Sequence, residues 1–508
     1  MSAASAWSVA LAGLDGTMVE VEASVTSGLP CTVLVGLPDT ALNESRDRCR
    51  AAASSLGIGW PMERLTINLT PASLPKTGSH YDLAIMAAVL CTSGKVPLQV
   101  VKQAVLVGEI GLDGRVRRVN GVLPAVLAAR RAGRALVIVP MAQVAEARLI
   151  TGVEVWGVAS VADLMEALHG RPPEIVDVPA AAPVVVEAAH RPDLADVNGQ
   201  PEGRWALEVA AAGGHHIFFQ GPPGVGKTML AERLSTLLPP LAPDEALQVS
   251  ALHSLAGEPL DDLITTPPYF APHHNATMAA MVGGGSRLAK PGAISLAHRG
   301  VLFLDEVPEY SVRVIESLRT PLESGWVSVA RAQGVVRYPA RFQLVMGANP
   351  CPCGMYGVGS ACRCQPMQIR RYNERLSAPI LDRVDIHQRL SAPRRAFVEA
   401  NDERPESSAV VAQRVAEARE RQRHRLAGTG WSLNAEVPGH YLRKVLAPKA
   451  GRQLLETALA KGRVSARGVD KAIRLAWTLA DLAGLSEIGT EQVAAALSLN
   501  RAEWLVAA

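Results

Sequence analysis

The stretch "GPPGVGKT", Gly221 to Thr228, sets three glycines, a lysine and a hydroxyl at the spacing G-x-x-x-x-G-K-[ST]. In such a loop the backbone N–H groups turn inward on phosphate oxygens at a helix N-terminus. A lysine reaches the β- and γ-phosphates, and the hydroxyl ligates Mg²⁺. The flanks agree with this chemistry, because Ile217 to Phe219 reads as a buried strand and the apolar spacing after Thr228 is helical. Gly221, Pro222, Pro223, Gly224, Val225, Gly226, Lys227 and Thr228 are therefore the expected nucleotide-binding residues. A second apolar run, "GVLFLDEV" (Gly300 to Val307), ends in two carboxylates. A buried parallel strand delivers such acids to the C-terminal edge of its sheet. There Asp305 is expected to hold the Mg²⁺ shell together with Thr228, and Glu306 to polarise the attacking water. A third run, Phe342 to Asn349, ends in an amide that could hydrogen-bond that water.

Directly after Asn349 the segment "NPCPCGMYGVGSACRC" places Cys351, Cys353, Cys362 and Cys364 in the pattern C-x-C-x8-C-x-C. Four thiolates can make a tetrahedral Zn²⁺ site, although C-x-C is tighter than the common C-x2-C knuckle. Reduced structural thiols are the alternative reading. A metal there would staple the loop that follows Asn349. Cys31, Cys49 and Cys91 are scattered and read as free thiols packed as small hydrophobes.

The elements that must position these residues fall into three blocks. A chain of 508 residues, 48% of them hydrophobic, is long enough for roughly two to four globular domains. The segment from Arg171 to Asp196 is rich in Pro, Ala and Val without helical or alternating periodicity, and reads as a linker. A second seam lies near Ser391 to Ser408, after which Ala, Leu, Arg and Glu recur at helical spacing. The expected division is 1–170, a linker at 171–197, a nucleotide-binding block at 198–392 and a helical block at 393–508. A net charge of +3 is too mild to announce nucleic acid by itself. Local arginine runs at 115–118, 130–134, 331–341 and 414–425 are ordinarily solvated faces. The first residues lack a basic, apolar leader and no stretch reaches about 18 uninterrupted apolar residues, so a cytoplasmic location without membrane contact is expected.

The density of motifs carries a resemblance. "APHHNATMAAMVGGG", "KPGAISLAHRGVLFLDEVPEY", "LRTPLESGWVSVARAQGVVRYPARFQLVMGANPCPCG" and "RYNERLSAPILDRVDI" resemble AAA+ ATPases of the magnesium-chelatase clade. The full-length layout is similar to the ComM/YifB family of chelatase-like proteins. That likeness implies an α/β fold with a central AAA+ P-loop domain, a C-terminal helical lid, ATP with Mg²⁺, and assembly into a ring, expected to be a hexamer. It makes Lys227 and Thr228 Walker A residues, Asp305 and Glu306 Walker B, and Asn349 sensor 1. Arg383 in "LDRVDI" resembles an arginine finger that reaches a neighbouring subunit's γ-phosphate, and Arg467 resembles a sensor 2 arginine. Planar, permanently cationic donors suit the charge that develops on a transferring phosphoryl group. The plainer reading of Arg383 is a salt bridge with Asp382 or Asp385.

The N-terminal block resembles the proteolytic domain of Lon, within the ribosomal-protein-S5-like α/β fold, through "NLTPASLPKTGSHYDLAIMAAVL" and "VGEIGLDGRVRRVNGVLPAVLAARRAG". His80 stands where that family's serine would be and Leu123 where its lysine would be. Ser79 is one place away, but without a lysine base it would be poorly activated, so proteolysis is not expected. Arg115, Arg117, Arg118, Arg130 and Arg131 are candidate nucleic-acid contacts of this block. The family likeness implies a motor on single-stranded or branched DNA, acting in branch migration or as a helicase. Trp326 to Ala340 would then be a β-hairpin carrying Arg331 and Arg337 toward phosphates. The alternative is a chelatase-type ATPase that remodels a protein partner for metal insertion.

Overall fold

The computed structural model describes residues 3–37, 39–174, 192–285, 290–331, 334–357, 361–391 and 405–500. Most of the expected linker and of the second seam, 175–191 and 392–404, lies outside the described residues.

The N-terminal part is built on a seven-stranded mixed sheet. Its spatial order is Cys31–Val35, Arg64–Thr70, Asp15–Thr26, Ala3–Ala12, Ala104–Leu106, Leu136–Pro140 and Glu154–Val158. The Ala3–Ala12 and Asp15–Thr26 strands form a hairpin paired from Ala3↔Ser24 to Ala12↔Asp15. Inward residues Val19, Val21 and Ala23 alternate with exposed or half-buried ones, the period-two pattern of a sheet covered on one face. Across it lies the helix Asp82–Thr92, apolar on nearly every side and buried accordingly.

The central part carries a five-stranded, all-parallel sheet in the order Tyr269–Phe270, Val301–Leu304, Gln343–Ala348, Ile217–Gln220, Ile386–Arg389. Val301 to Leu304, Gln343 to Ala348 and Ile217 to Gln220 are buried at every position, as strands covered on both faces must be. Gln220 pairs with Ala348 and Leu304 with Met346, so the three strands end almost level. This register sets the site, because Gly221, Asn349 and Asp305 are the residues that leave those ends.

From 405 to 500 the chain is helical, with Ser408–Arg425, Ala466–Leu482 and Thr490–Leu499 the longest helices. Their apolar faces share one core with the helix Pro201–Gly213 and the central sheet: Val411, Val415, Leu475 and Ala476 cluster with Ala206, Val209, Ile217 and Val345. A buried polar chain reinforces the join. His215 Nδ1 meets Asp385 Oδ2 at 3.2 Å and its Nε2 meets Thr478 Oγ1 at 2.8 Å; Asn434 links Thr478 to Asp481, which pairs with Arg425.

The N-terminal part docks on the central part through the helices Val122–Arg131 and Pro243–Ala256. The Gly121 N–H donates to the Ser254 carbonyl at 3.0 Å. Buried Glu146 accepts hydrogen bonds from the Ser254 hydroxyl, the Leu123 N–H and Gln143 Nε2. Leu11 and Leu14 of the first hairpin pack into the central core.

Candidate functional site

The loop after Ile217–Gln220 turns through Gly224 and Gly226, whose φ of +77° and +92° lie in the region that side chains resist. A Cβ at either would meet nothing within 4 Å, so the loop encloses open space at the N-terminus of the helix Lys227–Leu237. Lys227 is buried, and its Nζ donates to the Gly221 carbonyl at 2.7 Å, the Pro222 carbonyl at 3.0 Å and Asn349 Oδ1 at 2.9 Å. Burial lowers the lysine's pKa, and the carboxylates of Asp305 and Glu306 oppose that shift. Thr228 Oγ1 donates to Asp305 Oδ2 at 2.9 Å. A hydroxyl and a carboxylate so close, beside a glycine-bearing loop at a helix N-terminus, fit a phosphate-bound Mg²⁺ and its nucleotide. Residues 221–228, 305 and 349 are thus brought together as the spacing suggests.

Gly347, on the neighbouring strand, leaves room for Asp305, since a Cβ there would stand 2.8 Å from Oδ1. Glu306 sits at φ +51°, a left-handed conformation that costs a non-glycine residue roughly 1–2 kcal/mol. Its N–H donates to Asp305 Oδ1 at 2.9 Å, while its half-exposed carboxylate lies 3.9 Å from His274 Nδ1. Sequence reasoning missed His274. The signal was present in two consecutive histidines between the phosphate loop and the acidic strand, His273 and His274, whose ring centroids lie 4.1 Å apart with the planes tilted by 33°.

Arg383 and Arg467 lie together and away from Lys227. Arg383 pairs with Glu323 and donates to the Pro379 carbonyl at 2.5 Å, which corrects the expected partners Asp382 and Asp385. Asp382 instead receives Arg467 Nη1 at 2.8 Å, and Asp385 is taken by His215. Spacing could not show this, because Glu323 is 60 residues from Arg383. Both arginines line one cavity of about 1180 Å³ with Arg299, Arg341, Lys471 and Arg474, a cavity that none of residues 221–228 borders.

In the cysteine segment, Cys351 Sγ lies 3.4 Å from Cys353 Sγ and 3.8 Å from Cys362 Sγ, and Cys353 lies 3.8 Å from Cys362. All four sulfurs fall within 4.8 Å of one another, a donor set that could hold a metal ion. Hydrogen bonds from the backbone at Met355 and Arg363 pull the Cys353 pKa down to about 6. Of the remaining thiols Cys49 is buried, whereas Cys31 is exposed and so departs from the expected packing.

Comparison with known proteins follows this geometry. Residues 193–397 match the family model described as magnesium chelatase, subunit ChlI; 21–143 match the subunit ChlI of Mg-chelatase; 405–500 match the ChlI C-terminal model. The competence protein ComM of Haemophilus influenzae is 38% identical over 504 residues, covering 98% of this chain and 97% of its own. This chain belongs to the ComM/YifB magnesium-chelatase-like family. The YifB protein of Escherichia coli is 39% identical over 486 residues, covering 94% of this chain and 93% of its own. A Lon protease of Mycolicibacterium smegmatis is 30% identical over 196 residues, which is 37% of this chain and 23% of the protease.

In this family member the positions resembling Lon's catalytic residues are committed to structure. His80 is buried, with Nε2 2.8 Å from the Val9 carbonyl, and burial lowers its pKa. Leu123 is buried at the docking helix. Ser79 Oγ donates to Glu109, and Lys76 Nζ donates to the carbonyls of Gly36 and Pro71. The expected hairpin is present as Trp326–Arg331 paired with Gly334–Pro339, with Ser328 opposite Arg337. Val327, Val329 and Tyr338 face inward, while Arg337 is exposed. The side chain of Arg331 lies outside the described residues. Among those residues no helix is long and apolar enough to cross a membrane.

Proposed function

We propose that this chain is an ATP-hydrolysing ring motor acting on DNA, in branch migration or as a helicase during homologous recombination or natural transformation. The observation that supports it most is the meeting of Lys227, Thr228, Asp305 and Asn349 at three level strand ends. ATP and Mg²⁺ fit this edge; the metal supplies Lewis-acid neutralisation of the charge on the transferring phosphoryl group.

The chain's own groups then divide the work. Lys227 exchanges its carbonyl partners for β- and γ-phosphate oxygens, and Thr228 and Asp305 hold the metal shell. Glu306 accepts the proton of the water whose oxygen attacks the γ-phosphorus as the bond to the β–γ bridging oxygen breaks. Asn349 orients that water. Arg383 and Arg467 sit off their own phosphate loop, so in a hexameric ring they would serve the neighbouring subunit's nucleotide. There Arg383 would trade the Glu323 carboxylate for a phosphate.

The DNA reading draws on the competence protein's name and on exposed arginines. Arg337 on the hairpin, together with Arg115, Arg117, Arg118, Arg130 and Arg131 on the N-terminal part, offers contacts to a phosphate backbone. Arg331 is a candidate by sequence. Proteolysis is not part of the reading, because His80 and Leu123 fill the positions of nucleophile and lysine, and the expected location is the cytoplasm. A second reading, protein remodelling for metal insertion, is favoured by the chelatase description of the matched models. An N-terminal part does not by itself argue against that reading, because 21–143 matches a chelatase-subunit model too.

A synthetic four-way junction tests the proposal. Branch movement should require ATP and vanish in Lys227→Ala. DNA affinity should fall steeply with salt, and Arg337→Ala should lower the salt slope by about 1. A ring that hydrolyses ATP but binds no DNA form at low salt would transfer the assignment to the protein-remodelling reading.

A further inference from the structure

The cysteine segment does not stand apart from the nucleotide edge. Cys351 lies two residues after Asn349, and Asn349 holds Lys227. At the other end, the helix Pro366–Glu374 begins two residues after Cys364 and carries buried Tyr372. Between these anchors Gly354, at φ +78°, presses on the phosphate loop: a Cβ there would lie 2.5 Å from Pro223 Cδ and 2.7 Å from its Cγ. The segment thus meets the nucleotide edge at two points, through Asn349 and through Gly354 on Pro223.

Of its four cysteines only Cys351 is buried, and among its described residues no apolar cluster lies within it. A tetrahedron of sulfurs about 2.3 Å from a central ion has edges of about 3.8 Å. The three separations among Cys351, Cys353 and Cys362, 3.4, 3.8 and 3.8 Å, lie at or just inside that edge length, and Cys364 Sγ lies within 4.8 Å of each of them. An all-thiolate, four-coordinate donor set selects a soft or borderline metal, Zn²⁺ before Mg²⁺ or Ca²⁺.

We propose that Cys351, Cys353, Cys362 and Cys364 bind one structural Zn²⁺, and that this knuckle braces the phosphate loop through Gly354 on Pro223, so that nucleotide affinity depends on the metal. The second half rests on the nucleotide reading above; the first does not. Loading releases whatever thiol protons remain on the four cysteines as the four Zn–S bonds form, and no oxidant takes part. The metal acts as a positioning device, because the cysteines touch no substrate atom.

The full-length protein, purified in metal-depleted buffer, should carry one zinc per chain by elemental analysis. Stripping with a mercurial thiol reagent and a chelator, followed by excess thiol, should weaken binding of a fluorescent ADP analogue about tenfold, and added Zn²⁺ should restore it. Cys353→Ser should lose the metal. Should that variant fail to fold, Gly354→Ala provides an independent arm: it should keep the zinc and still weaken the ADP analogue. Protein without metal, or with iron in place of zinc, overturns the zinc assignment. Full zinc with equal nucleotide affinity in the loaded and stripped forms overturns the bracing claim. If neither form binds the analogue, the nucleotide reading and the bracing claim fall together, while the zinc count still decides the first half.

Discussion

Two places in this molecule carry residues at catalytic spacing, and they have met opposite fates. At the nucleotide edge, Lys227, Thr228, Asp305 and Asn349 converge from three strands, and the hydrogen bonds between them join groups that phosphate or Mg²⁺ would exchange. In the N-terminal part, the Lon-like positions face inward. His80 is buried against Val9, Leu123 packs into the docking interface, and Ser79 is tied to Glu109. The two places thus differ in what surrounds the named residues: hydrogen-bond partners drawn from three strand ends at one, packed core and interface at the other.

The largest expected effects break this comparison at its active end. Lys227→Ala should reduce ATP affinity and turnover on the order of 100-fold or more, since it removes a charge that meets phosphate directly. Glu306→Gln should still bind ATP, yet hydrolyse it on the order of 10²- to 10⁴-fold more slowly, the range for losing a general base. Normal turnover in Glu306→Gln, measured by phosphate release, would remove the assignment of that carboxylate.

A smaller effect tests what holds the edge in place. Asp385 immediately precedes the strand Ile386–Arg389, which pairs with Ile217–Gln220, and is buried. Burial alone would raise its pKa, but His215, Lys471 and Arg474 outweigh it and hold the carboxyl below the usual range. A depressed carboxylate pKa stabilises the fold above the unfolded value of about 3.9, and that contribution is lost as pH falls through the folded value. Asp385→Ala should destabilise by about 3–5 kcal/mol at neutral pH, because it strands buried partners. The variant should also show a flatter loss of stability toward acid, read by denaturant unfolding across pH.

Next in size is the docking of the two parts. Glu146→Ala removes the acceptor for Ser254, Leu123 and Gln143, and should cost about 1–3 kcal/mol in the unfolding of the full chain. An unchanged unfolding curve would mean that the parts are not coupled through this carboxylate. The smallest effect sharpens the comparison at its silent end. Ser79→Ala should shift stability by less than about 1 kcal/mol and leave ATP turnover unchanged, because what its side chain loses is a partly buried hydrogen bond to Glu109. A loss of peptide hydrolysis in that variant would contradict the account of a retired site.

Much of the nucleotide edge was legible in the sequence because its parts are contiguous. Strand, loop and helix occur in order around Gly221 to Thr228, and each apolar run ends in the group it delivers. What spacing could not show were partners far apart in the chain. Glu323 holding Arg383, Asp382 holding Arg467, and His274 facing Glu306 depend on how loops return over the sheet. The helical block was read from its periodicity, yet its fusion with the central core through His215, Thr478 and Asn434 was not. Those polar residues carry no periodic signal, and their burial is decided only by packing. The four cysteines announced themselves by type, whereas their contact with Pro223 rests on a single glycine.

The steady-state ATPase rate of the assembled protein, measured alone and with single-stranded, duplex and branched DNA, tests the central claim most directly. The account predicts Mg²⁺-dependent hydrolysis that rises with DNA, most with a branched form, and that is absent in Lys227→Ala at every DNA concentration. Hydrolysis that no DNA form changes at low salt, or that survives in Lys227→Ala, would contradict it.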